Sequence, residues 1–114
     1  MDCIFCRIVS GEIPATIVAR NEFAVAFRDL NPQAPTHVLV LPTRHFESAT
    51  EVPEDERVAV LGQLLRLAVA VAEQLGVALG GYRTVINTGK QGGQTVDHLH
   101  VHLLGGRQMH WPPG

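Results

Sequence analysis

The chain has 114 residues, of which 46% are hydrophobic and 18% charged, and its formal net charge is −2. That length suits one domain spanning 1–114, with room for a real core and little stability to spare, and the composition is not that of a disordered chain. The near-neutral charge gives no general attraction to nucleic acid backbones or anionic membranes, and no apolar run approaches the ~18 residues of a membrane span.

The opening Met1-Asp2-Cys3-Ile4-Phe5-Cys6 has no basic region ahead of an apolar run, so no secretory leader is expected. The expected location is therefore cytoplasmic, where a disulfide between Cys3 and Cys6 does not persist. Residues 3–9 place apolar side chains at 4, 5, 8 and 9, which suits a short helix ended by Ser10-Gly11. Residues 16–20 and 23–28 read as strands joined by a tight turn at Asn21-Glu22. Residues 29–35 contain two prolines and read as loop. Residues 37–41 form a buried strand closed by Pro42. A long helix follows, with Pro53 at its first position, Glu54, Asp55 and Glu56 at the positive end of the dipole, and Gly76 as its stop. On a helical wheel Val58, Leu61, Leu65, Ala68, Ala72 and Leu75 form one stripe, with Val60, Leu64, Leu67 and Val71 beside it. The two stripes cover about twice the ~100° that one core face needs. One side should pack on a sheet and the other should need a second partner, most simply another copy of the chain. Residues 82–87 and 98–104 read as two further strands. Strands around a single long helix, without strand–helix alternation, predict an α+β fold with an antiparallel sheet.

The last strand carries the chemistry. In His98-Leu99-His100-Val101-His102-Leu103-Leu104, alternation puts the three histidines on one face and Leu99, Val101 and Leu103 on the core face. A purely structural role accounts for one such imidazole but not for three in a row. Two chemistries compete: a three-histidine zinc site, and a nucleophilic histidine flanked by helpers. The segment leading into the strand, Asn87-Thr88-Gly89-Lys90-Gln91-Gly92-Gly93-Gln94-Thr95, favours the nucleophile. Its glycines let backbone amides approach a phosphate, and Gln94 and Thr95 can donate to phosphate oxygens or to a leaving group.

The pattern His-φ-His-φ-His-φ-φ, with φ apolar, is the hallmark of the histidine triad family, and residues 98–104 match it at every position. The sequence resembles that family. Within it the resemblance is to the Hint branch, through residues 29–41 with Pro32-Gln33-Ala34-Pro35-Thr36-His37, through Gly92-Gly93-Gln94-Thr95, and through the tail Leu104-Gly105-Gly106-Arg107-Gln108-Met109-His110-Trp111-Pro112-Pro113-Gly114. The resemblance covers nearly the whole chain. It implies a five-stranded antiparallel sheet with one long and one short helix, in a homodimer whose tail reaches the partner's nucleotide site.

The resemblance also implies roles. His100 matches the nucleophile that attacks an α-phosphorus and becomes nucleotidyl-histidine, with its other nitrogen held by a backbone carbonyl. His102 matches the histidine that bonds a phosphate oxygen, and His37 an accessory histidine. Asn87, Gly93, Gln94 and Thr95 match phosphate-side residues, the Thr95 hydroxyl standing where the branch often has Ser. Asp29 matches the carboxylate that takes the ribose hydroxyls, a role that competes with capping a turn before Pro32. Phe5, Ile8, Phe27, Leu30 and Leu39 match the purine pocket, although by sequence they are ordinary core. Cys3-x-x-Cys6 departs from many Hint proteins and reads as a metal clip. Two cysteines do not complete a tetrahedral zinc site. In some bacterial histidine triad proteins and in galactose-1-phosphate uridylyltransferases two histidines complete it, at positions matching His45 and His98. The plain alternative is two small buried side chains on a short helix.

The leading expectation is a hydrolase that cleaves the P–N bond of purine nucleoside 5′-phosphoramidates, with structural zinc and no metal needed for the chemistry. Hydrolysis of dinucleoside polyphosphates or aminoacyl-adenylates, a nucleotide-binding interaction module with incidental activity, and a zinc hydrolase are the alternatives.

Overall fold

The computed structural model describes residues 3–114. In chain order the elements are helix α1 (Ile4–Val9), strands β1 (Ile17–Arg20), β2 (Ala24–Arg28) and β3 (Thr36–Pro42), helix α2 (Glu54–Gln74), and strands β4 (Tyr82–Val85) and β5 (Val101–Gly105). The strands pair antiparallel throughout, in the order β1-β2-β3-β5-β4. This is the expected α+β architecture, with five strands, one long helix and one short one.

Alternation divides the sheet into two dissimilar faces. On one, Ala24, Ala26, Val38, Val40, Val101 and Leu103 are buried under α2. The alanines of β2 leave room for the helix to lie close. Truncating Leu64, which α2 buries completely, should cost about 2–5 kcal/mol. On the other face Val25, Phe27, Leu39 and Leu41 pack under Cys3 and Phe5 of the short N-terminal segment. His102 lies opposite Leu39 in the β3–β5 register, so it shares this second face. α1 covers one end of that face, where His37 and His100 are buried and His102 is half-buried.

Several boundaries and burial patterns differ from expectation. β5 begins at Val101, so His98 and His100 precede the strand. The β3–β5 register ends at Val40 opposite Val101, and Leu99 N–H instead donates to the Phe46 carbonyl at 2.7 Å. β4 stops at Val85, opposite His102, because residues 98–100 have turned away from the sheet. Pro53 is the N-cap of α2, with φ −53° and ψ 142°, and the helix starts one residue later. The side chains that α2 buries, Leu64, Ala68, Val71 and Ala72, straddle both predicted stripes, since the core contact runs along the seam between them. Val58, Leu65 and Val69 face outward. Leu30 is 96% exposed and is not core: it sits in the proline loop, where no element lies over it. No helix among the described residues is long and apolar enough to cross a membrane.

Candidate active site and metal centre

Two groups of side chains form on the α1 face, and the histidine segment contributes to both. The first consists of Cys3, Cys6, His45 and His98. Cys3 caps α1, and its sulfur accepts the Cys6 N–H at 3.3 Å. His98 Nδ1 lies 3.4 Å from Cys3 Sγ and 3.5 Å from Cys6 Sγ. His45 Nδ1 lies 3.3 Å from Cys6 Sγ and 3.2 Å from His98 Nδ1. Tetrahedral zinc, with bonds of about 2.3 Å to sulfur and about 2.0–2.1 Å to nitrogen, places its ligand atoms about 3.3–3.8 Å apart. The four donors therefore fit one tetrahedral ion. His98 Nε2 donates to the Pro42 carbonyl at 3.0 Å, which leaves Nδ1 as the lone-pair nitrogen facing the cysteines. All four ligands expected from the sequence come together here, and the donor set could hold zinc.

His100 stands between the two groups. Its ring packs edge-on against Phe5 at 5.1 Å and against His102 at 5.0 Å. Its Nδ1–H donates to the His98 carbonyl at 2.7 Å, so Nε2 carries the lone pair. Burial pushes this imidazole below its usual range, opposed by the bond to His98 and the charge of Asp29. A neutral ring with one free lone pair is the state a nucleophilic histidine needs.

The second group is Asp29, His37 and His102. The main-chain N–H of Gln33 donates to His37 Nδ1 at 3.0 Å, so the proton of neutral His37 is on Nε2. That nitrogen lies 2.9 Å from His102 Nδ1 and 3.4 Å from Asp29 Oδ2. Only one proton fits in the shorter contact, and it comes from His37. His102 then carries its own proton on Nε2; the Asn87 amide nitrogen lies 3.5 Å from that ring nitrogen, and the amide must turn its oxygen toward it to accept the proton. Burial, with the neighbouring His100 and His37, pushes His102 down to about 4, and burial also lowers His37. Both rings are therefore neutral at physiological pH.

This division separates the three histidines of the motif. His98 belongs to the cysteine cluster, His102 to the Asp29 cluster, and the Nδ1 of His100 is occupied by a carbonyl. They do not converge on one ion, which sets aside the three-histidine zinc hydrolase. The Asp29 cluster is also a poor metal site, since the Gln33 amide proton leaves His37 Nε2 without a lone pair.

The remaining expected site residues are placed as follows. Phe5, Phe27 and Leu39 are buried together, with Ile8 packed against them and the Phe5 and Phe27 rings 5.7 Å apart edge-on. Asp29 caps the turn, Oδ1 accepting the Asn31 N–H at 2.8 Å, while Oδ2 faces His37. Gln94 does not hold its donors free: its amide nitrogen donates to the Glu47 carbonyl at 2.6 Å and to the Val96 carbonyl at 3.0 Å. Its oxygen accepts the Gly89 N–H at 3.0 Å, so the side chain staples the glycine loop. Gly92 is required by that loop's own closure, since a Cβ there would lie 2.3 Å from the Thr88 oxygen. Gly93 takes a left-handed φ of 75°, and Thr95 is exposed beside the cysteine cluster.

Sequence reasoning missed the groups that act through the main chain: the N–H of Gln33, the carbonyls of Pro42 and His98, and the carbonyl of Phe46. Any residue supplies such a group, so no residue type marks it. In the tail, Arg83 donates to the His110 carbonyl at 2.7 Å and Arg107 Nε to the Gln33 carbonyl at 2.9 Å. The start of the tail thus lies against its own domain, while Trp111 remains 83% exposed.

Comparison with known proteins places these features in company. The HIT domain family profile matches residues 10–109. The "14 kDa zinc-binding protein" of Zea mays is 51% identical over 97% of this chain and 87% of its own length. The Arabidopsis thaliana protein named "Adenylylsulfatase HINT1" is 49% identical over 97% of this chain and 76% of its own length. The crystal structure of a HIT family hydrolase from Legionella pneumophila Philadelphia 1 superimposes with a TM-score of 0.95 at 48% identity, covering 99% of this chain and 100% of that one.

Proposed function

The chain belongs to the HIT domain family, the histidine triad proteins, on its Hint branch, and from that premise we propose that it hydrolyses the P–N bond of purine nucleoside 5′-phosphoramidates through a nucleotidyl-histidine. The observation that carries the proposal is the bond from His100 Nδ1–H to the His98 carbonyl, which leaves Nε2 as a nucleophile of fixed tautomer. In the first step the Nε2 lone pair bonds to the α-phosphorus, the P–N bond breaks, and the nitrogen leaves as the amine after taking a proton from solvent. In the second, water bonds to phosphorus and gives up a proton to solvent, the bond to His100 Nε2 breaks, and the nucleoside monophosphate departs. His102, with its proton on Nε2, donates to a phosphate oxygen whose charge grows in each step. Asn87 and the Gly93–Thr95 end of the glycine loop flank the phosphate. Phe5, Ile8, Phe27 and Leu39 form the apolar wall for a purine, Leu30 lies at its outer edge, and Asp29 offers an acceptor to the ribose.

Zinc bound once per chain by Cys3, Cys6, His45 and His98 would be structural, tying α1 to the histidine segment. The site also extends to a second copy of the chain. Trp111 is exposed, Val58, Leu65 and Val69 form an outward apolar stripe on α2, and β4 is a sheet edge. In the homodimer the end of the tail lies at the partner's nucleotide site.

A second reading keeps the nucleophile and changes the leaving group to sulfate. It is favoured by the name of the Arabidopsis relative, an adenylylsulfatase. The decisive experiment mixes protein with a phosphoramidate labelled in the nucleotide, quenches in acid-free denaturant, and maps the label by mass spectrometry. Label on His100 is the expected result; turnover with label elsewhere overturns the mechanism.

A further inference from the structure

We propose that Arg107 is a positioning residue for the His37–His102 pair, acting through the Gln33 backbone; this rests on the proposed nucleotidyl-transfer chemistry for its kinetic consequence. The tautomers of both rings are set at His37, where Gln33 N–H is seated on Nδ1 at 3.0 Å and Asp29 Oδ2 lies 3.4 Å from Nε2. Gln33 lies between Pro32 and Pro35, in a segment with no strand partner. Within the segment, Asp29 Oδ1 accepts from Asn31 N–H, and Gln33 Nε2 donates to the Asn31 carbonyl. These bonds shape the loop without fixing it to the sheet.

Among the described residues, Arg107 makes the hydrogen bond that ties residues 30–35 to a segment outside 29–37, Nε donating to the Gln33 carbonyl at 2.9 Å. Its Nη1 also donates to the Gln108 carbonyl at 3.1 Å, which holds the guanidinium in place from behind. The neighbouring backbone presses on the same loop. Gly106 has φ 90°, and a Cβ there would lie 3.0 Å from Pro35 Cβ. The planar guanidinium anchors the carbonyl side of Gln33 while its amide side meets His37.

If the Gln33 N–H moves off, only the longer 3.4 Å contact with Asp29 Oδ2 favours a proton on Nε2, and His37 populates both tautomers. A proton on His37 Nδ1 turns Nε2 into an acceptor. His102 then moves its own proton to Nδ1 to fill the 2.9 Å contact, and presents a lone pair at Nε2. A lone pair facing a phosphate oxygen repels it where an N–H would stabilise it. The start of the tail thereby reaches the chemistry of its own subunit without touching substrate.

The test compares wild type, Arg107→Met and Arg107→Lys. The ring nitrogens of His37 and His102 are read by ¹⁵N-detected NMR at neutral pH, and phosphoramidate kinetics are measured in parallel. Arg107→Met keeps the stem length and removes the donors. It should give mixed tautomers at His37 and His102 and lower kcat about tenfold with KM little changed. Arg107→Lys, which can still donate to the Gln33 carbonyl, should recover most of the wild-type spectrum. Wild-type tautomers in Arg107→Met overturn the proposal, whatever the kinetics show. Mixed tautomers in a protein whose wild type turns over no phosphoramidate uphold the Arg107 linkage and overturn the substrate assignment instead.

Discussion

The carbonyl oxygen of His98 lies 2.7 Å from Nδ1 of His100, while the His98 ring reaches the opposite way into the cysteine cluster. One residue thus gives its side chain to a metal-type site and its backbone to the candidate nucleophile. The two sites share a residue but no ligand atom.

That separation makes His100 the residue whose loss is most costly to turnover. Replacing it with Ala should lower kcat/KM on the order of 10³-fold or more, because a bond-forming group is removed. Nucleoside monophosphate binding, measured by calorimetry, should change little. His102→Ala removes one donor to the phosphate and should cost about 10²-fold. Substantial turnover in His100→Ala would refute the nucleophile assignment.

The cysteine cluster should hold about one zinc per chain, since its four donors match one tetrahedral ion. Metal analysis of protein purified without added zinc checks this, and metal-free protein of equal stability would rule it out. Cys6→Ser should lower Tm more than it lowers activity per folded molecule, because the ligand acts on folding and not on the reacting phosphorus.

Acid should destabilise the fold through the buried histidines. The folded state holds His102 down to about 4, whereas an unfolded histidine titrates near ~6.5. Between those values the unfolded chain binds the proton and the folded chain does not, so stability rises with pH. The contribution is complete above the unfolded value and is lost as pH falls through the window. His37 and His100 are lowered in the same direction. Urea unfolding at several pH values should show a shallower acid slope in His102→Asn than in wild type. Equal slopes in the two zinc-loaded proteins would mean that His102 does not contribute.

The tail should act at the partner's site. Trp111 is 83% exposed in one copy of the chain, an unfavourable place for a large aromatic ring. Sedimentation should give twice the chain mass. Deleting residues 109–114 should leave a folded protein whose kcat/KM values change unequally across phosphoramidates with different amines. The ten residues from Gly105 span at most roughly 35 Å, enough to cross a subunit boundary. Unchanged ratios across the series would exclude the tail from the site.

The sequence by itself determined most of the elements and which side chains carry the candidate chemistry. Apolar periodicity marked α2 over most of its length, and turn residues bracketed β1 and β2, because those signals are local. The alternation His98, His100, His102 showed which side chains share a face, and that survived even though the first two precede the strand. Cys3, Cys6, His45 and His98 were individually legible as ligands, but only the resemblance joined residues up to 95 positions apart. The tertiary structure alone decided which atoms each histidine presents and to which partners. Tautomer and direction depend on main-chain groups of Gln33, Pro42 and His98, and every residue carries such groups, so the sequence does not mark them. It also decided that Leu30 and Trp111 stay exposed and that Gln94 staples its own loop. Burial and hydrogen-bond partners are set by what the rest of the chain brings alongside, which no local pattern encodes.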